Sequence, residues 1–157
     1  MKPIKRLLQD RIAVRIEPNR AILIFGARRV GKTVLMRQLI DRFEGKVMLL
    51  NGEDYDTLAL LKERSIANYR HILEGVDLLA IDEAQHIPDI GSKLKLIVDE
   101  VEGIRVIASG SSSFDLLNKA GEPLVGRSTK FHLTPLSQRE IASVETALET
   151  RRNLESR

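Results

Sequence analysis

Gly26 and Gly31 bracket four free positions, Ala27, Arg28, Arg29 and Val30, and Lys32 and Thr33 follow at once. These residue types in this order are what a polyphosphate requires. Glycine lets the backbone curl until several N–H groups face one point, and a helix starting there aims its positive end at the same place. Lys32 is a mobile point charge for the terminal phosphates, and the Thr33 hydroxyl is a ligand for a magnesium ion bridging them. With Val34, the first helical amide beyond, Gly26, Ala27, Arg28, Arg29, Val30, Gly31, Lys32, Thr33 and Val34 make a candidate cradle for a nucleotide.

A second constellation follows the apolar run Leu78-Leu79-Ala80-Ile81, which delivers two carboxylates, Asp82 and Glu83. Paired acids at the end of a buried strand are costly unless a cation or a reaction needs them. Asp82 is placed to share the metal with Thr33, making these two the candidate magnesium ligands, and Glu83 to orient and polarise an attacking water. An acidic cap on the next helix is the plainer reading of the same pair. Further on, Ser109-Gly110-Ser111-Ser112-Ser113 ends another apolar run. Ser109 first, and Ser111 second, suit contact with the last phosphate and the lytic water; a serine-rich turn capping a helix suits the same residues. Arg127, after Gly126, is either a cation projected at a neighbouring subunit's phosphate or a surface arginine. Arg28 and Arg29 face solvent, a partner or the nucleotide, and the pattern does not choose.

Positioning these groups takes strands and helices in alternation. Ala21 to Phe25 leads into the first glycine, and Val34-Leu35-Met36 with Leu39-Ile40 continues at helical spacing beyond the loop. Strand candidates follow at Val47 to Leu50, Leu78 to Ile81, Ile104 to Ala108 and Thr129 to Leu133. The middle runs are apolar on consecutive residues, as in strands covered on both faces. Helices are expected over about 33–44, 57–63, 65–74, 92–102 and 113–119, with Asp56, Ser65 and Ser92 as N-caps and Gly45, Gly75 and Gly103 as stops. The expected architecture is α/β, a three-layer sandwich around a five-stranded, mostly parallel sheet. Ligands of such sheets gather at the carboxyl ends of the strands, where the phosphate loop, Asp82-Glu83 and Ser109 all lie.

The chain of 157 residues fits one domain with a sizeable core and leaves no length for two. It has no cysteine, which excludes disulfides and thiolate metal sites and suits a reducing compartment. The basic start, Met1 to Arg6, is not followed by an apolar stretch of signal length, and nothing downstream is long enough to span a bilayer. A cytoplasmic protein without a membrane partner is expected. The net charge of +3 is concentrated in residues 1–20, where Lys2, Lys5, Arg6, Arg11, Arg15 and Arg20 face only Asp10 and Glu17. Such an arm can touch nucleic acid, but it also reads as the wet face of a helix whose Ile4, Leu7, Leu8 and Ile12 pack down, and we favour the second. His71, His86 and His132 show no ligand spacing with one another, and Tyr55 and Tyr69 are too scattered for a base-stacking platform.

Taken together, these residues resemble the ATPase core of the AAA-type superfamily. More narrowly, the chain is similar to bacterial and archaeal ATPases whose core precedes a C-terminal domain of unknown function. The stretches that carry the likeness are Gly26 to Thr33, Ile81-Asp82-Glu83-Ala84-Gln85, Ala108 to Ser112, Gly126-Arg127, and Leu133-Thr134-Pro135-Leu136-Ser137 with Glu140. The resemblance implies that the Ser109 strand lies between the phosphate-loop strand and the Asp82-Glu83 strand. It also implies ATP with magnesium, Glu83 as catalytic base, Ser109 as sensor, and Arg127 acting in trans within a homo-oligomer. The expected division is a basic helical arm over 1–18, an ATP-binding core over 19–141, and a truncated C-terminal helix or tail over 142–157. Family members continue into a lid-like or winged-helix region and a further domain, so a missing domain or a protein client is the expected partner.

The functional expectation is binding and hydrolysis of Mg-ATP to ADP and phosphate. A nucleotide-gated binding module without useful hydrolysis is the rival. A GTPase is disfavoured because Asn118-Lys119-Ala120-Gly121 has glycine where a guanine-binding aspartate belongs. A helicase is suggested by Asp82-Glu83-Ala84-Gln85, but a second similar domain has no room.

Overall fold

The computed structural model describes residues 9–26, 31–111 and 124–133. The helix expected over 113–119, the Pro135-Leu136-Ser137 stretch with Glu140, the tail from 142, and loop residues Ala27 to Val30 lie outside them.

Among the described residues five strands form: β1 Arg20–Gly26, β2 Val47–Asn51, β3 Leu78–Asp82, β4 Arg105–Gly110 and β5 Ser128–Leu133. Their order across the sheet is β2-β3-β4-β1-β5, and all four pairings are parallel. The expected α/β three-layer fold is therefore present, with the Ser109 strand β4 between β1 and β3. Because every strand points the same way, Gly26, Asn51, Asp82 and Gly110 end on one edge of the sheet.

Successive side chains of a strand face opposite sides, and the apolar runs sort accordingly. Ala21, Leu23, Phe25, Leu79, Ile81, Val106 and Ala108 face one core with Tyr69, Leu94 and Ile97. Ile22, Ile24, Leu78, Ala80 and Ile107 face the other, with Leu35, Met36 and Leu39. The first core is closed by α2 Tyr55–Lys62, α3 Ile66–Ile72 and α4 Ile90–Glu100, and the second by α1 Lys32–Arg42. In α4 the buried positions Ile90, Leu94, Ile97 and Val98 recur at the spacing of one helical face. Ile12, in the helical turn of residues 9–13, is fully buried in the second core. Beside it Asp10 pairs with Arg42 at 2.7 Å and Gln9 donates to Gln38 at 2.7 Å, so this end of the arm is docked on α1.

Two helix starts differ from the sequence reading. Helix α2 is capped by Asp54, whose carboxylate accepts from the Asp56 N–H at 3.0 Å, so Asp56 sits in the first turn and does not cap it. The chain leaves β2 through a turn closed by Asp54 N–H to the Asn51 carbonyl, which puts the extended residue at 54. Helix α4 starts at Ile90 behind a left-handed Asp89 without a side-chain cap, and Ser92 is inside it. Ser65 does cap α3, accepting from Asn68 N–H at 3.0 Å.

Asn19 joins the two ends of the core. Its amide donates to the Val98 and Val101 carbonyls at 2.8 and 2.9 Å, and its side-chain oxygen accepts from Gly103 N–H at 3.0 Å. The last carbonyls of α4 are thus satisfied from the residue before β1, which fixes β1 beside β4. Across the sheet Arg20 spans β1 and β5, donating to the Gly126 and Ser128 carbonyls. Among the described residues no helix is long and apolar enough to cross a membrane.

Candidate nucleotide-binding site

The site is assembled at the carboxyl edge of the sheet by four elements. Gly31, the residue before α1, has φ 91°, a left-handed conformation that glycine adopts without strain. It turns the chain so that α1 starts directly at the loop. The first N–H groups of a helix have no intrahelical acceptor and carry the positive end of its dipole. Lys32 is buried, 5% exposed, and its ammonium donates to the Gly26 carbonyl at 3.0 Å. The lysine therefore folds back onto the last residue of β1.

Thr33 Oγ1 donates to Asp82 Oδ2 at 2.9 Å. The other oxygen, Oδ1, accepts from the Ser109 hydroxyl at 2.5 Å and from the Glu83 N–H at 3.0 Å. Asp82 is thus held by three donors, from α1, from β4 and from the bend after β3. Ser109 is fully buried, and its hydroxyl is directed at Asp82. A hydroxyl and a carboxylate meeting at the edge of a parallel sheet, beside a buried ammonium and a helix start, form a hard-oxygen donor set. It suits a magnesium-bound polyphosphate. A cavity of about 380 Å³ opens next to Thr33 and Asp82, between α1, β2 and α2, with Met36 and Leu60 in its wall and Asp54 at its rim.

Glu83 is in the left-handed region, φ 53° and ψ 45°. For a residue other than glycine this costs on the order of 1 kcal/mol, so the surroundings must impose it. The imposing contact is Gly52. Its N–H donates to the Asp82 carbonyl at 2.8 Å, and a Cβ at that position would lie 2.1 Å from the Glu83 carbonyl oxygen. Only glycine lets the turn after β2 come this close to the bend carrying the acids. Gly52→Ala is expected to lower stability by about 1 to 3 kcal/mol, the range for forcing an atom into a packed contact. Thermal melting of the variant beside the wild-type protein checks the loss.

The sequence ends the second strand candidate at Leu50 and gives Gly52 no role of its own. The histidines show no ligand spacing with one another in the sequence, yet His86 Nε2 lies 3.5 Å from Glu53 and 4.0 Å from Glu83. The three donor atoms fall within 4.8 Å of one another, with Glu53 and His86 exposed and Glu83 half-buried. His132 stacks on Phe25, with ring centroids 5.0 Å apart. The sequence shows Gln85 only as one residue of the Ile81 to Gln85 stretch, but its amide bridges Glu83 and Ser111. The signal available was its position two residues after the acid, in a turn too short to carry it away.

Arg127 is not brought to the site. Its carbonyl accepts from Ala21 N–H at 2.9 Å, at the start of β1, whereas the phosphate loop begins at the other end of that strand. The separation is roughly 20 Å at the usual rise per residue. Its guanidinium instead donates to Asp99 at 2.7 Å. That hydrogen bond, reinforced by Lys95, holds the Asp99 carboxyl below the usual carboxylate range.

Comparison with known proteins decides the family. A family model described as "AAA domain" matches residues 18–142. The chain belongs to this AAA domain family. Uncharacterized protein Rv2008c of Mycobacterium tuberculosis and uncharacterized protein Mb2031c of Mycobacterium bovis are each 33% identical over 124 residues, covering 78% of this chain and 26% of their own length. Uncharacterized protein MJ1544 of Methanocaldococcus jannaschii is 26% identical over 138 residues, 86% of this chain and 31% of its own length. The chain therefore spans between a quarter and a third of the curated relatives it matches. Membership in the AAA domain family supports a nucleotide-binding domain of the ATPase type.

Proposed function

We propose that residues 19–141 bind Mg-ATP and hydrolyse it to ADP and phosphate. The observation that carries this reading is the convergence of Thr33, Asp82 and Ser109 at one point beside the buried Lys32. Lys32 exchanges the Gly26 carbonyl for the terminal phosphates, and the N–H groups opening α1 donate to the remaining phosphate oxygens. Thr33 and Asp82 would hold magnesium, which when bound neutralises charge on the phosphates. Ser109 keeps the Asp82 carboxylate in one orientation. Glu83 takes a proton from water as its oxygen bonds to the terminal phosphorus; the bond to the bridging oxygen breaks, leaving ADP and phosphate.

The test is phosphate release by the 157-residue chain in magnesium and in a chelator. Turnover should require magnesium. Asp82→Asn, which removes the ligand charge and keeps the shape, should weaken ATP binding in magnesium by roughly tenfold, as expected for one charge-assisted contact, and leave binding in chelator unchanged.

One observation favours a second reading, a nucleotide-gated binding module. Arg127 is tied to Asp99 and lies a strand length from its own phosphate loop, so a single chain is not given this cation for the transition state. If Arg127 of a neighbouring copy supplies it, turnover per chain rises with protein concentration. Tight ATP binding without phosphate release at every concentration would instead favour the module.

A further inference from the structure

Gln85 has no part in the chemistry just described, yet its amide fills the gap between the strand end that carries the acids and the one that carries the serines. Its Nε2 donates to Glu83 Oε1 at 2.8 Å, and its Oε1 accepts from the Ser111 N–H at 3.3 Å. The partners fix which way the amide points. A backbone N–H only donates, so the oxygen faces Ser111 and the NH2 is left for the carboxylate oxygen. The residue sits in the short 3-10 turn Ala84–His86, whose Ala84 is fully buried, so the amide hangs from an anchored backbone.

Strand order gives this contact a direction. Since β3 lies between β2 and β4, Ser111 is on one side of Glu83, and Glu53, which follows β2, is on the other. His86 stands toward Glu53, 3.5 Å away, and is 4.0 Å from the same Glu83 oxygen that Gln85 holds at 2.8 Å. Gln85 Nε2 also lies 3.3 Å from His86 Nε2, so one amide meets both the carboxylate and the imidazole, and its bond from the Ser111 N–H ties them to the β4 side.

We propose that Gln85 is a positioning residue: it holds the Glu83 carboxylate on the β4 side and couples its orientation to the backbone at Ser111. Any shift of the β4 end on nucleotide binding or phosphate departure is then transmitted to the acid that orients the water. The inference rests on the hydrolytic reading above.

Gln85→Met keeps the length and bulk of the side chain and removes the amide's contacts with Glu83, Ser111 and His86, whereas Gln85→Ala removes the bulk as well. At saturating Mg-ATP, both variants should lower the single-turnover rate of phosphate release about tenfold or more, the worth of one hydrogen bond to a charged group. Their ATP affinity, measured by titration, should stay within about twofold of wild type, because the contact acts in the reaction step and not on ground-state binding. In a Glu83→Gln background, Gln85→Met should produce no further loss, since the group it positions no longer acts. A packing role predicts otherwise: Met would restore the rate that Ala loses, and the two substitutions would add. Either result overturns the proposal. Wild-type turnover that depends on Glu83 but is untouched by Gln85→Met removes the role of Gln85 alone. Wild-type protein that binds Mg-ATP and releases no phosphate removes the hydrolytic reading and this role together.

Discussion

Lys32→Ala is expected to weaken Mg-ATP binding by roughly a hundredfold or more, and turnover with it. The size follows from burial. An ammonium that is 5% exposed and already paired to the Gly26 carbonyl is held at the end of β1 in a poorly hydrated place. Exchanging that neutral acceptor for a phosphate oxygen gains a charge-assisted bond, and removing one partner of such a bond costs about 2 to 5 kcal/mol. Arginine does not substitute, because its planar fork cannot occupy the place of a point charge. Fold integrity is not expected to suffer: Lys32 is the first helical residue, and alanine is well tolerated in helices. Titration of ATP against both proteins, with melting curves as the control, gives the answer. Unchanged affinity would end the assignment of this loop as a phosphate cradle.

Much of this arrangement was legible in the sequence, for identifiable reasons. Strands covered on both faces read as unbroken apolar runs, so β1, β3 and β4 were located to within a residue or two from Ala21 to Phe25, Leu78 to Ile81 and Ile104 to Ala108. Alternating strands and helices implied a parallel sheet, and a parallel sheet brings the strand ends to one edge. The order of the strands was not in the residues themselves; it came from the family resemblance. Helix starts were the weak point, because the cap is chosen by where the backbone extends. Among Glu53, Asp54 and Asp56 no pattern selects Asp54.

What escaped the sequence are contacts between segments far apart in the chain. Gly52 is required by the Glu83 carbonyl, and Asn19 by the end of α4. Neither need has a local signature, since an Asn-Gly or Pro-Asn pair looks like any turn. The distance of Arg127 from the loop is of the same kind. It depends on strand direction and pairing register, which fix the start of β5 beside the start of β1.

Glu83→Gln should separate binding from reaction. The substitution keeps the size of the side chain and removes only the charge, so Mg-ATP affinity is expected to hold while phosphate release falls by about 10² to 10³, within the range of general acid–base effects. The backbone argues that Glu83 is more than a helix cap. It sits at φ 53° with no side-chain cap bond to the turn that follows, in a conformation costing on the order of 1 kcal/mol that glycine would adopt without strain. A residue serving only to start the 3-10 turn gains nothing from a carboxylate there. Gln85 meets that carboxylate at 2.8 Å, and Gly52 is kept bare so that the bend can form. Gln in the same position retains an oxygen for the Gln85 donor, so melting should be nearly unchanged, and a lost rate cannot then be assigned to collapse of the bend. Single-turnover phosphate release at saturating nucleotide reads the reaction step directly. Equal rates for the two proteins would take Glu83 out of the chemistry and leave Asp82 and Thr33 as a metal site in a domain that binds nucleotide without consuming it.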